Sequence, residues 1–208
     1  MPALLQIDSS PRAASVSSRL AAVFVEIWKR QNPGGAVFHH NTSLERFPYL
    51  DEAAIDASFT PATERTAAQK LALAFSDQLV DELLAADVVV LGAPTWNLSI
   101  PASLKAWIDL IVREGRTFAF TAKGVAPLVL PGKRVYVFSA RGGAYPAGSP
   151  IHDLDQQEPY LRRILGVIGL TRIEFIYAEH QAEHQSDGPK AAAEGVARAE
   201  STLTALAG

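Results

Sequence analysis

Short, almost continuously apolar runs, set at intervals along the chain, constrain this fold more than any other feature of the sequence. Residues 3–7 (ALLQI), 88–91 (VVVL), 135–138 (VYVF) and 173–177 (IEFIY) are such runs, and 36–38 (AVF) is a weaker fifth. Their largely unbroken apolar character marks strands covered on both faces, the condition of a parallel sheet held between helices. The segments between them carry the helical period instead. Leu20, Val23, Phe24, Ile27 and Trp28 recur at three-and-four spacing, which predicts one apolar face, and Asn32-Pro33-Gly34-Gly35 ends that helix. Residues 61–86 place Leu71, Phe75, Leu79 and Leu83 on one stripe, and 101–113 place Leu104, Trp107, Ile108 and Ile111 on another. Helices over 157–168 and 189–206 complete five strand–helix repeats. Such alternation implies right-handed crossovers and an α/β fold with helices on both faces of a five-stranded parallel sheet.

Two segments interrupt the alternation. Residues 42–60 form a long connection containing Phe47, Pro48, Tyr49 and Leu50, and 115–130 hold Thr117-Phe118-Ala119-Phe120-Thr121, the pattern of a small hairpin outside the sheet. No repeat or linker divides the chain, so residues 1–208 are expected to form a single domain.

Composition then narrows the chemistry. There is no cysteine, which excludes a disulfide framework, a thiolate metal site, an iron–sulfur cluster and a catalytic thiol. A net charge of -3 provides no broad basic field, so nucleic acid is not an expected partner. The apolar runs fall far short of the roughly 20 residues that span a bilayer, and the first residues lack the pattern of a signal peptide. A cytoplasmic protein without a membrane partner is expected.

In open parallel sheets, ligands bind beyond the carboxyl ends of the strands, where strand order reverses. Three loops leaving such ends are unusual. The first, residues 8–18, is rich in hydroxyls and leads straight into a helix. Ser10, Ser15 and Ser17, together with the free N–H groups of that helix start, suit a phosphate, while Ser17 or Ser18 equally suits a simple helix cap. Neither a Walker A motif nor a G-x-G-x-x-G follows the first strand, which leaves a monophosphate instead of a nucleoside triphosphate or dinucleotide. The second loop, 92–101, sets Trp96 beside Asn97, a wall and an edge for a flat ring. Core packing and an ordinary turn would account for the same two residues. The third, Ala140-Arg141-Gly142-Gly143, frees two N–H groups to meet a carbonyl edge, or is merely a turn.

Taken together, the three loops resemble those of the FMN-dependent NADH-azoreductases, also described as FMN-dependent NADH:quinone oxidoreductases, within the flavodoxin-like superfamily. Ser9-Ser10 with Ser15-Val16-Ser17 is similar to that family's phosphate loop. Pro94-Thr95-Trp96-Asn97-Leu98, followed by Ile100-Pro101 and Leu104-Lys105, is similar to its flavin-ring segment, and Arg141-Gly142-Gly143 to its third loop. The likeness continues through Trp107-Ile108-Asp109-Leu110, Gly115-Arg116-Thr117-Phe118 and Pro159-Tyr160-Leu161, so it spans nearly the whole chain. Val16, Thr95, Leu98 and Ala140 stand where members of that family often carry Gln, Met, Phe and Ser.

The resemblance implies a flavodoxin-like three-layer sandwich and an FMN-dependent enzyme. It also implies NADH or NADPH as electron donor, quinones or azo compounds as acceptors, and a homodimer. The implied FMN contacts are Ser10, Ser15, Val16, Ser17, Pro94, Thr95, Trp96, Asn97, Leu98, Ala140, Arg141, Gly142 and Gly143. Because the cofactor carries the chemistry, no side chain is expected to act as a catalytic acid or base. The rival readings are a flavodoxin-like electron carrier and a ligand-binding module without flavin. Carriers of the first kind are usually strongly acidic, which this chain is not. A role as an acyl carrier protein phosphodiesterase is less favoured, since no metal cluster or activated nucleophile is visible in the sequence. His180-Gln181-Ala182-Glu183-His184 fits a zinc pattern but follows a strand instead of lying on a helix, and is read as a solvated loop. His39 and His40, adjacent on a strand, must point to opposite faces. His152 has no recognisable partner.

Overall fold

All five apolar runs form strands, and they lie in one parallel sheet. The computed structural model describes residues 1–181, 190, 193, 194, 196–198, 200 and 201. Along the chain come β1 (Ala3–Asp8), α1 (Val16–Gln31), β2 (Ala36–Asn41), α2 (Glu52–Phe59), α3 (Ala67–Ala85) and β3 (Val88–Gly92). They are followed by α4 (Ala102–Ile111), β4 (Phe118–Thr121), β5 (Gly124–Pro127), β6 (Arg134–Ala140), α5 (Gln157–Val167) and β7 (Arg172–Ala178). The main sheet has the order β2-β1-β3-β6-β7, while β4 and β5 pair antiparallel as the separate hairpin.

Successive strand residues point to opposite faces, and the two resulting cores make a three-layer sandwich. Leu5, Ile7, Val89, Leu91, Val135 and Val137 pack with residues of α3, α4 and α5. Leu4, Val90, Tyr136, Phe138 and Ile176 pack on the other side with Leu20, Phe24 and Trp28 of α1. The weaker signal of β2 has a physical cause: it is an edge strand, and its residues are exposed or half-buried.

Several sequence expectations shift in detail. On α1 the buried face turns toward Ala21 and Val25, and Val23 is left exposed. On α3 the stripe runs through Leu73, Leu79, Val80 and Leu83, and Leu71 faces solvent. That helix begins only at Ala67, behind a Thr66–Gln69 capping box, while the 42–60 connection contains the short helix α2. The helix expected over 189–206 falls largely outside the described residues, although Val196 packs against the α1 core. His184 of the zinc-like pattern also lies outside them. Among the described residues, no helix is long and apolar enough to cross a membrane.

The strand order fixes where a ligand can enter. From β1 the chain moves outward to β2, then crosses back to β3 on the other side. Helices therefore diverge at the carboxyl ends of β1 and β3, and a crevice opens between the loops that follow them.

Candidate active site

The floor of this crevice is set by a close approach of β1 and β3. A Cβ on Gly92 would stand 2.3 Å from Asp8 Oδ1, so glycine is required where the strands end. Beyond it, the Ser9 N–H and hydroxyl both donate to the Gly92 carbonyl, at 3.0 and 2.9 Å. The chain then folds over the sheet end. Ser10 Oγ accepts from the Arg12 N–H at 3.3 Å, and the Ser15 N–H donates to the Arg12 carbonyl at 3.1 Å.

Ser15, rather than Ser17 or Ser18, caps α1, accepting from the Ser18 N–H at 3.3 Å while sharing a 3.1 Å hydrogen bond with the Ser17 hydroxyl. This arrangement leaves the N–H groups of Val16 and Ser17 without a partner among the described residues. Two free amides at the positive end of a helix, beside the Ser10 and Ser15 hydroxyls, make a donor set suited to a phosphate. The capping reading and the phosphate reading thus hold for the same serine.

The second loop leaves β3 still paired to β6, through Ala93 N–H to Phe138 O at 2.9 Å and Thr95 N–H to Ala140 O at 2.8 Å. It then reverses in a tight turn. Trp96 and Ser99 exchange N–H to carbonyl hydrogen bonds of 3.0 and 3.1 Å, with Asn97 at φ 47° and Leu98 at φ 71°. Two consecutive left-handed residues are the signature of a type I′ turn, but leucine at such an angle is an outlier and carries strain of about 1–3 kcal/mol. The Gln156 N–H holds it by donating to the Leu98 carbonyl at 3.0 Å. The turn thereby keeps Trp96 partly exposed at the crevice instead of in the core, and Leu98 exposed without lining it.

In the third loop, the Arg141 side chain is consumed by structure. Its guanidinium is buried, pairs with Asp155 at 3.1 Å and Glu179 at 2.5 Å, and stacks 3.8 Å over the Tyr177 ring. Tyr177 also donates to Glu158. Burial first, and then that carboxylate, raise the Tyr177 hydroxyl well above the usual phenol range. The loop is therefore anchored from below, and a Cβ on Gly143 would meet nothing within 4 Å.

A cleft of about 250 Å³ brings together Ser10, Ser15, Val16, Pro94, Thr95, Trp96, Ala140, Arg141 and Gly142 from the three loops. Ser17 is fully buried and does not line it, Leu98 and Gly143 also stand outside its lining, and Asn97 instead lines a neighbouring cavity of about 900 Å³ that shares Trp96 with the cleft. Phe47, Tyr49 and Tyr160 give this second cavity aromatic walls. Burial and then Asp109 push the Tyr160 hydroxyl up to about 12, so it remains protonated at neutral pH. Gln181 also lines the cleft, and Gln157 organises it from behind; neither stood out in the sequence. A glutamine at the start of a predicted helix reads as a solvated residue, and only the tertiary contacts of Gln157 reveal otherwise. His152, expected to be without a partner, has Nδ1 3.1 Å from the Tyr145 carbonyl.

Residues 2–203 match the family model described as flavodoxin-like fold. Over 180 residues the chain is 46% identical to the FMN-dependent NADH:quinone oxidoreductase of Nostoc sp., covering 86% of this chain and 87% of that protein. It is 45% identical over 208 residues to the protein of the same name from Leptothrix cholodnii, covering 98% and 95%. Among solved structures, an azoreductase from Bacillus anthracis superposes with a TM-score of 0.84 at 28% identity, covering 98% of this chain and 99% of that one. The layered sheet with its crevice at the switch point defines the class, and the chain belongs to the flavodoxin-like fold family, in the branch of the FMN-dependent NADH:quinone oxidoreductases.

Proposed function

We propose that this chain is an FMN-dependent oxidoreductase of one domain spanning residues 1–208, which moves hydride from NADH or NADPH to quinones, and to azo compounds as a second class of acceptor. The observation that carries this reading is the cleft itself. At one end stand free amides of Val16 and Ser17 with the hydroxyls of Ser10 and Ser15; at the other stands the strained turn with its exposed Trp96. That pairing suits a monophosphate joined to a flat ring, and the names of the relatives supply the cofactor, FMN, and the donor.

When bound, FMN supplies the hydride chemistry, accepting from the nicotinamide and delivering to the acceptor. The protein contributes position and electrostatics. Val16, Ser17, Ser10 and Ser15 would hold the phosphate; Pro94, Thr95, Trp96, Asn97 and Leu98 would border the ring; and the backbone of Ala140, Arg141, Gly142 and Gly143 would supply donors to its polar edge. With the β-strand ends behind it, a bound ring would offer reactants one open side, next to the larger aromatic-walled cavity that shares Trp96 with the cleft. Two flat reactants cannot occupy one open side together, so they alternate, and the kinetics are ping-pong. A homodimer and a location in the cytoplasm belong to the same reading.

An electron carrier would bind FMN without oxidising the nicotinamide itself. The aromatic-walled cavity beside the cleft favours the enzyme, because a carrier needs no pocket for an organic substrate. Initial rates over a grid of NADH and quinone concentrations test both claims: parallel double-reciprocal lines are expected. Intersecting lines would demand a ternary complex, and an FMN-loaded protein that leaves NADH unoxidised would be a carrier.

A further inference from the structure

Beyond β3 the second loop still pairs with β6 through the Ala93 and Thr95 N–H groups, but the carbonyls of Ala93 and Pro94 have left the ladder and remain buried. Ala93 is fully buried, and the carbonyls of Ala93 and Pro94 receive the two N–H bonds of a single side chain, Gln157 Nε2, at 3.1 and 3.2 Å. The oxygen of the same carboxamide accepts from the Thr95 hydroxyl at 2.9 Å and the Ser139 hydroxyl at 2.5 Å. Carbonyls cannot donate, so the amide has only one orientation here, with nitrogen toward the loop and oxygen toward the hydroxyls. Gln157 is 2% exposed, and every hydrogen-bonding group of its side chain is used. Its own N–H donates to Asp155, whose other oxygen pairs with Arg141 of the third loop. Immediately before it, the Gln156 N–H holds the left-handed Leu98. One turn of chain at the start of α5 therefore ties together two of the three loops that enclose the cleft.

We propose that Gln157 is a positioning residue that presets the FMN-ring segment: its carboxamide takes up the Ala93 and Pro94 carbonyls and the Thr95 hydroxyl, and so holds the 96–99 turn in its binding geometry before the cofactor arrives. The proposal rests on the FMN reading. No other side chain meets the same demand. Glutamate would set a carboxylate against two carbonyl oxygens, and methionine of similar length would leave the two carbonyls unpaired and the Thr95 and Ser139 hydroxyls with only each other, 3.4 Å apart. With the tie gone, only the Trp96–Ser99 pair and the Gln156 N–H oppose relaxation of Asn97 and Leu98 toward ordinary backbone angles, and more of the turn's ordering falls at the moment of binding.

The test is titration of flavin-stripped protein with FMN, read by quenching of flavin fluorescence and by the visible absorption spectrum of the bound flavin. Gln157→Met and Gln157→Glu are expected to bind FMN at least tenfold more weakly and to shift the bound spectrum. Leu79→Ala, a core truncation on α3 away from the cleft, is expected to lose thermal stability yet keep wild-type affinity, which separates positioning from general destabilisation. If the Gln157 variants do not fold, Ser139→Ala decides. Ser139 is buried outside the cleft lining, and its loss removes one hydroxyl donor to the Gln157 oxygen, so FMN is expected to bind about threefold or more weakly. Wild-type affinity and spectrum in folded Gln157→Met, or in Ser139→Ala where that variant decides, overturn the proposal alone. A wild-type chain that takes up no FMN overturns the cofactor reading and the proposal with it.

Discussion

His39 and His40 show how adjacent residues with one chemistry acquire two surroundings. The strand sends His39 to Asp8, at 2.9 Å, and His40 to the opposite face, where Nδ1 meets Glu45 at 2.8 Å and Nε2 meets Glu82 at 2.7 Å. Both imidazoles hold their protons more tightly than usual. For His39 the Asp8 hydrogen bond outweighs burial; for His40 burial lowers the value, and Glu45 and Glu82 together more than restore it. A raised folded value means that the stabilisation is complete below the unfolded value of 6.5 and is lost as pH rises through the folded one. The melting temperature of the native chain, relative to His40→Gln, is therefore expected to fall as pH rises above about 6.5. An advantage constant across that range would show that His40 contributes packing alone. The opposite orientation of the two rings was legible from strand parity, but their carboxylate partners were not: Glu82 is 42 residues away, on α3.

The elements were legible where apolar period and burial coincide. Strands β1, β3 and β6 and helix α4 lie where their runs predict, because each is buried along a continuous face; β7, at the sheet edge, was legible only from its apolar run, since just Ile176 and Ala178 are buried. Helix α2 was hidden, since eight residues give barely two turns of period and only Ala57 is buried. The three loops of the cleft were readable as loops, but the dual role of Ser15 depends on the geometry of the α1 start. Ser15→Asp separates its two roles. Aspartate caps a helix about as well as serine, so the unfolding free energy of the flavin-free protein should remain within about 0.5 kcal/mol of wild type. The new carboxylate would face the phosphate, where like charges a few ångströms apart repel by about 1–4 kcal/mol, so FMN affinity should fall roughly tenfold or more. Calorimetry of the stripped protein and FMN titration read the two effects apart. Retained affinity would move the phosphate elsewhere and leave Ser15 a cap only.

At the scale of the whole molecule, alternating strands and helices made the sheet legible, and its order places the cleft at the β1–β3 switch point. What surrounds the cleft was less legible, because a run of apolar residues in a connection does not say what it covers. Phe47 turns inward and joins the chain's own core. Tyr49 remains 76% exposed and Phe120 62% exposed, with Leu50, Leu128 and Leu130 also at the surface. The 42–60 connection carries Tyr49 beside the aromatic-walled cavity, and the β4–β5 hairpin carries Phe120. Large apolar groups on connections that must otherwise be solvated are the usual mark of a surface that a partner covers. A second copy of the chain is the proposed partner, so sedimentation at micromolar concentration should return twice the 22.3 kDa of one chain. Tyr49→Glu together with Phe120→Glu places charge on both connections and should shift the population to monomer, while the thermal midpoint of the isolated fold changes little, since both residues are exposed. A native chain that sediments as a monomer would refute the dimer, and a double variant that stays dimeric would place the interface on another face.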